Sequence, residues 1–355
     1  MLDHTPAHGA QRPLPNPRHA ALVARRTMQG APPEDNHMDI DNWNWGAGVG
    51  MYGLARLWRR TADPACLAFL NAWIRRHWHD AATMLTVNHT APLLAFLELH
   101  HLPGNEDYLP ACRRTADWLL TGATRTRSGG YEHTVNADGS HLFPQQIWAD
   151  TLFMACILLA RMGRLLDDAR YANEAARQLL IHHQILKDKR TGLFYHGWDC
   201  LAGNWMSAAL WGRANAWITA ATVEILENLP PAFEGRDPIL ASLREQVAAL
   251  ARCQRPNGLF GTLLDDPSAY DETSCAAGIA YGIRRGIKAR LLDPRHLPVA
   301  EKAGRAVLSK INPAGEVEGV SGGTPIMPAP ADYKTIETRP ALYGQALALL
   351  MLCEE

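Results

Sequence analysis

An excess of charge of either sign is the first thing this sequence lacks. Over 355 residues, 35 Lys and Arg stand against 36 Asp and Glu, a formal net charge of -1. That balance argues against a nucleic-acid or membrane-surface partner, so an anionic ligand has to be met by a few local cations. Long apolar runs are missing too, and none approaches the ~18 residues of a membrane span. The opening stretch MLDHTPAHGAQRPLPNP has no basic start followed by an apolar segment, so no signal peptide is read there. The seven cysteines are odd in number and never form a CxxC pair, which fits reduced thiols in a cytoplasmic protein. No HExxH or other metal-ligand spacing occurs among the His residues, no GxSxG elbow, and no GxxxxGK[ST] loop. Metal, serine and P-loop hydrolysis are thereby disfavoured, and no cofactor is expected.

Strand-like alternation is scarce as well, whereas apolar residues recur at three- and four-residue spacing throughout. Breaks at Pro, Gly and polar clusters leave twelve helices, near 18–28, 45–61, 64–79, 89–101, 106–122, 145–164, 168–185, 204–228, 237–253, 271–287, 297–309 and 340–353. Short links such as Ala62-Asp63-Pro64 alternate with long, Gly- and aromatic-rich connections at 127–144, 188–204, 254–270 and 312–340. That rhythm predicts six helical hairpins closed into an (α/α)6 barrel, all-α, with the long loops gathered at one end. An open solenoid is the competing architecture, but no fixed-period repeat supports it. Residues 1–40 are read as an N-terminal segment with the first helix of the barrel, and 41–355 as the remainder of a single catalytic domain.

Eleven tryptophans supply flat surfaces of the kind that stack on sugars. The chain centres on 145–199, where Asp150 stands among Ile147, Trp148, Leu152, Phe153 and Met154 near a helix start. Apolar surroundings raise a carboxyl pKa and suit it to general-acid work, although an acid in a first helical turn also serves the macrodipole. The same segment ends in Tyr195-His196-Gly197-Trp198-Asp199.

Around this centre, Trp43 and Trp45 precede a glycine-spaced helix and are candidates for a pocket mouth, with Gly46, Gly50 and Gly53 allowing close helix packing. Asn88 precedes Pro92 as either a helix cap or a ligand contact. His133 follows Gly129-Gly130 on a long loop that is able to fold over Asp150. In WGRANAW, Arg213 and Trp217 share a helix face beside Trp211. An Arg among aromatic rings suits a planar carboxylate on a flat ring, or else forms a structural cation–π stack. Asp265 to Ser274 reads as an acidic turn and helix cap, and Gly319 to Thr324, followed by Tyr333, as a lining of the cavity mouth.

Taken in order, WNWGAGVGMYGL, VNHTAP, GGYEH, QQIWADTLFM, DKRTGLFYHGWD, WGRANAW, LDDPSAYDETS and GVSGGT resemble the unsaturated rhamnogalacturonyl hydrolases of glycoside hydrolase family 105, relatives of the family 88 unsaturated glucuronyl hydrolases. The resemblance implies an (α/α)6 barrel and a substrate ending in a 4,5-unsaturated uronic acid. It places the catalytic acid on Asp150 and ligand-holding roles on Asn88, His133, His196, Trp211, Arg213 and Trp217. The related glucuronyl hydrolases have a second aspartate near the position of Asn88, and an amide cannot replace it as a base. The implied reaction protonates C4 of the enol ether, has the resulting Asp150 carboxylate or a histidine such as His196 take a proton from the water attacking C5, and needs neither metal nor organic cofactor. A small unsaturated oligosaccharide is then the partner, for a monomer or homodimer. An unsaturated glucuronyl hydrolase for glycosaminoglycan products, with Lys187, Lys189 and Arg190 as sulfate contacts, is the alternative enzyme. A sugar-binding barrel without catalysis and a histidine-based epimerase are the other classes.

Overall fold

The structure, a computed structural model, describes residues 14–31 and 35–354, so the leading segment read as lacking a signal peptide lies outside the described residues from 1 to 13. Its helices are α1 (Pro17–Gln29), α2 (Trp45–Thr61), α3 (Pro64–Arg76), α4 (Trp78–Thr83), α5 (Val87–Thr90), α6 (Leu93–Leu99) and α7 (Tyr108–Thr121). A π-helical turn (Leu152–Cys156) leads into α8 (Ile157–Leu166), followed by α9 (Ala169–Leu186), α10 (Gly212–Asn228) and α11 (Arg236–Cys253). Then come α12 (Thr273–Lys288), α13 (Leu297–Leu308), α14 (Pro330–Tyr333) and α15 (Leu342–Glu354). Two small antiparallel pairs complete the frame: β1 (Gln146–Trp148) with β2 (Gly197–Asp199), and β3 (Phe260–Gly261) with β4 (Asp271–Glu272).

Six helices form an inner ring, and burial identifies them. α15 is buried along its whole length and α10 over nearly all of its own, so both are enclosed on every side. Outer helices bury one stripe only, as with Cys66, Leu70, Trp73 and Ile74 of α3. Contacts run α2 to α6, α6 to α8, α8 to α10, α10 to α12, α12 to α15 and α15 back to α2, closing the ring. The fold is the (α/α)6 barrel expected from the hairpin rhythm. Close approach in the ring is bought by glycine: a Cβ on Gly53 would stand 2.8 Å from the Ala346 Cα, and one on Gly48 2.5 Å from Pro92. Gly46, grouped with these from sequence, meets nothing within 4 Å and has no packing role.

Ring helices run in the same sense. Their C-terminal ends meet at a cavity of about 420 Å³ lined by Arg56, Arg59, Arg60, Arg161, Arg285 and Lys288 with Glu98, Glu224 and Glu354. Arg161 lies 2.8 Å from Glu98, and Arg56 3.2 Å from Glu354. Six cations against three carboxylates offset the partial negative charge of the helix C-termini. The N-terminal ends meet at the opposite side, which gives that end a positive potential. Among the described residues no helix is long and apolar enough to cross a membrane.

Candidate active site

Every inner helix brings a side chain to the N-terminal end of the barrel: Trp45 from α2, Asn88 from α5, Asp150 ahead of the π-turn, Arg213 from α10, Thr273 from α12 and Tyr343 from α15. The stretch around Asp150 departs from the expected helix. Residues 146–148 pair with 197–199 instead, Gln146 opposite Asp199 and Trp148 opposite Gly197. Gln145 sits at φ 59°, a left-handed conformation that a non-glycine residue adopts at a cost and that prevents a helix from starting there. The helix begins only after Asp150, and with a π-turn. Such turns recur at functional sites because they aim one side chain differently.

This pairing sets Asp150 beside His196. The Ala149 N–H donates to the His196 carbonyl at 2.9 Å, and the His196 N–H donates to the Ala209 carbonyl at 3.1 Å. Asp150 Oδ2 then stands 3.4 Å from His196 Nε2, with the imidazole side chain 1% and the carboxyl side chain 13% exposed. Neither atom is aligned into a hydrogen bond with another protein group. The raised pKa expected for Asp150 is corrected by the structure. Burial does push it up, but the close approach of His196 and the electrostatic pull of His196, His133 and Arg213 outweigh burial and hold it below the usual carboxylate range.

An unbroken file of rings and one guanidinium walls this end of the barrel. Trp45 stacks on Tyr343 at 4.8 Å, the Arg213 guanidinium lies 4.6 Å from the Tyr343 ring and 4.4 Å from that of Trp211, and Trp211 lies 4.2 Å from His196. Beyond His196, Trp148 follows at 5.4 Å and His133 stacks on Trp148 at 5.0 Å. The His133 loop does fold over the site: its imidazole is buried, Nδ1 is 2.9 Å from the Thr151 hydroxyl, and burial pushes its pKa down to about 4.

Arg213 is buried at 1% exposure together with Trp211 and Trp217. Its terminal nitrogens are spent on the Gly319 to Thr324 loop, at 2.8 Å from the Ser321 carbonyl, 2.9 Å from the Gly322 carbonyl and 3.1 Å from the Thr324 hydroxyl. Only Nε is left without a partner, so a bidentate fork for a ligand is not presented; the guanidinium instead fixes the loop and lends positive charge. The other carboxyls nearby are occupied as well. Glu272 caps α12, accepting from the Cys275 N–H at 2.6 Å and the Ser321 N–H at 2.9 Å, and Glu132 pairs with His141.

Several expectations land elsewhere. Trp43 is 3% exposed and stacks on Trp73 at 5.4 Å, edge-on to Phe96, so it belongs to the aromatic core and not to a pocket mouth. Trp45 does line a cavity of about 220 Å³, with His37, Asn44, Gly323 and Tyr343. Thr86, not Asn88, caps α5, its hydroxyl accepting from the His89 N–H at 3.2 Å; Asn88 lies within that turn, which packs on the π-turn after Asp150. Trp217 sits one turn below Arg213 against Phe153 at 4.7 Å, its Nε1 buried without a partner. The expected helix start at 204 fails because Met206 and Ala208 are left-handed (φ 54° and 49°), and α10 begins at Gly212.

Tyr343 and Trp148 were not singled out as site residues in the sequence. The available signal was position, since Tyr343 opens an inner helix just as Trp45 and Arg213 do. Tyr333, expected at the cavity mouth, is instead buried beneath His196.

The sequence profile of Glycosyl Hydrolase Family 88 matches residues 20–355. A Bacillus subtilis (strain 168) protein, unsaturated rhamnogalacturonyl hydrolase YesR, is 35% identical over 336 residues, covering 94% of this chain and 92% of its own. Among solved structures, a possible member of the GH105 family from Salmonella enterica serovar Paratyphi A superposes with a TM-score of 0.88 at 34% identity, covering 95% of this chain and 92% of that one. A second possible GH105 member, from Klebsiella pneumoniae, gives a TM-score of 0.87 at 33% identity over 100% of this chain and 97% of its own. On that match, which runs through the Asp150 segment and the Arg213 helix alike, the chain is a glycoside hydrolase and belongs to glycosyl hydrolase family 88.

Proposed function

We propose that this hydrolase removes a 4,5-unsaturated galacturonyl residue from rhamnose in lyase-generated fragments, by adding water across C4=C5. One observation carries the reading: among the described residues Asp150 is the single carboxyl of the site not already committed to a structural partner, and it faces a buried histidine. Ordinary glycosidases need two carboxyls flanking the scissile bond. Hydration of an enol ether needs one, used first as acid and then as base. The similarity to YesR supports the galacturonyl-rhamnose assignment.

In this reading the uronate ring stacks on the Trp211 side of the wall, and its carboxylate enters the positive field of Arg213 and the inner-helix N-termini. Negative charge brought beside Asp150 raises its pKa, so the proton is taken up with the substrate. Asp150 donates that proton to C4, and the π pair forms the new C–H bond. Positive charge is left on C5 and the ring oxygen. As water bonds to C5, the Asp150 carboxylate takes its proton, and the hemiketal opens and expels the aglycone alcohol. His133 and Asn88 line the same end, Trp217 supports it from one turn below, and Trp45 faces the aglycone side. Residues 1–40 are assigned to an N-terminal segment with the first helix of the barrel and 41–355 to the remainder of the single catalytic domain, working in the cytoplasm as monomer or homodimer without a cofactor.

The alternative of a glycosaminoglycan-type substrate gains little, because Lys187 is paired with Glu245 and Arg190 lies 3.6 Å from Asp188. The test is loss of the ultraviolet absorbance of the unsaturated uronate, with unsaturated galacturonyl-rhamnose and an unsaturated chondroitin disaccharide side by side. Decay on the first supports the proposal. Decay only on the second moves the chain to the glucuronyl class, and decay on neither leaves a sugar-binding barrel.

A further inference from the structure

Beneath His196 the structure holds a contact that chemistry at the double bond does not itself require. The Tyr333 hydroxyl lies 2.8 Å from His196 Nδ1, on the side of the ring away from Asp150. Tyr333 is fully buried and closes α14, whose start is tied by the Ala329 N–H to the Asp332 carboxylate at 2.9 Å. The next residue, Lys334, anchors the turn to Asp266 at 2.9 Å. The phenol is therefore held, not merely adjacent.

Its single proton can be placed by elimination. The Met327 backbone N–H, which can only donate, reaches the phenol oxygen at 3.3 Å and takes one of its lone pairs. The hydroxyl hydrogen then has two acceptors within reach, His196 Nδ1 at 2.8 Å and the Ser207 hydroxyl at 3.5 Å. An Nδ1–H donor would leave the hydroxyl hydrogen only the 3.5 Å contact with Ser207, at the limit of a hydrogen bond, and would turn the lone pair of Nε2 onto the Asp150 carboxylate 3.4 Å away. Nδ1 is consequently the accepting nitrogen, and the proton of a neutral imidazole sits on Nε2, facing Asp150.

We propose that Tyr333 is a positioning residue that locks His196 in its Nε2–H form, which leaves His196 no lone pair for water and assigns water activation to Asp150. The assignment rests on the reading of Asp150 above and gives the reason that His196 is not the base. In the reaction His196 acts only as a donor toward Asp150. It steadies the carboxylate formed when the proton goes to C4, and it releases that contact when the carboxylate takes the proton of the attacking water. The separation of 3.4 Å between Nε2 and Oδ2 in the free site shortens as that charge develops. Burial supports the lock: it pushes the Tyr333 hydroxyl up to about 12, so it stays a donor, and it lowers the His196 pKa, which favours the neutral ring. Ring rotation is blocked by Trp211 at 4.2 Å and Trp148 at 5.4 Å, and the titratable and charged groups facing the pair are the His133 imidazole from its loop and the Arg213 guanidinium from α10.

The test joins a spectroscopic and a kinetic readout. Nitrogen NMR of ligand-free, histidine-labelled protein, with His196 assigned by a His196→Gln variant, is expected to show the proton on Nε2 and an unprotonated Nδ1. In Tyr333→Phe, which keeps the ring and removes only the hydroxyl, the two tautomers should mix. On whichever unsaturated disaccharide the wild type consumes, Tyr333→Phe is expected to lose about tenfold or more in kcat with KM within about twofold, and to change the pH profile of kcat. Ser207→Ala should leave kcat within about twofold. A wild-type proton on Nδ1, or a Tyr333→Phe enzyme with unchanged kcat and pH profile, overturns the assignment. The NMR result stands whatever the substrate, so failure of the lock and failure of the substrate reading are told apart.

Discussion

Asp150 Oδ2 and His196 Nε2 stand 3.4 Å apart because β1 and β2 are paired, not because the two residues are near in sequence. Replacing the carboxyl by an amide keeps the shape and removes the acid. Asp150→Asn is expected to lose a factor of about 10² to 10⁴ in kcat while its melting temperature stays close to wild type. Steady-state absorbance assays and a thermal scan check both halves.

Asp150 is held below the usual carboxylate range in the free site, largely by its histidine and arginine neighbours working against burial. A ligand carboxylate arriving there reverses the balance. Binding of the unreactive saturated galacturonyl-rhamnose near neutral pH is expected to take up a fraction of a proton, and Asp150→Asn to abolish that uptake. Calorimetry in two buffers of different ionisation heat measures it directly. Equal heats in both buffers would mean that Asp150 acquires its proton some other way.

Three buried histidines give the fold its own pH dependence. His133 and His182 are pushed down to about 4 and His183 to about 3, in each case chiefly by burial. Their folded pKa values lie below the unfolded value of about 6.5, so the unfolded chain binds more protons in the interval between. Stability is therefore full above about pH 6.5 and falls as the pH drops toward 4. Melting temperature measured from pH 7 to 5, above the range where most carboxylates titrate, should decline steadily. A flat profile there would contradict the burial of these rings as neutral species.

The two N-terminal tryptophans should separate cleanly. Trp43 packs on Trp73 and Phe96 in the core, so Trp43→Ala is expected to cost about 3–5 kcal/mol of stability. Trp45, half-buried over Tyr343, should raise KM on replacement by Ala and change the melting temperature far less. Denaturant unfolding and kinetics on the same two variants decide it.

How much of this was legible in the sequence follows from what each kind of signal carries. Helical periodicity reports burial on one face, and it placed all twelve barrel helices, from Pro17 in α1 to Leu342 in α15. It misreads stretches such as 146–148 and 204–211, where apolar residues are buried from several sides and left-handed Gln145, Met206 and Ala208 break the helix. Asp150, His196, Trp211 and Arg213 were readable because an acid, a histidine and an arginine among aromatics are costly unless used. Which atoms of Arg213 remain free was not readable, since its partners lie on a loop more than a hundred residues further along the chain. Trp43 and Trp45 look alike in sequence, and only the packing of α3 separates core from pocket.

The central claim is that water adds to the double bond before the glycosidic link opens, and the most direct test follows both events in heavy water by proton NMR at early times. The account predicts that the C4 vinyl signal disappears in step with release of the aglycone. One deuterium should enter C4 from a single face, and Asp150→Asn should stop both together. Release of the aglycone while the C4=C5 signal persists would show direct cleavage of the glycosidic bond and would contradict the account.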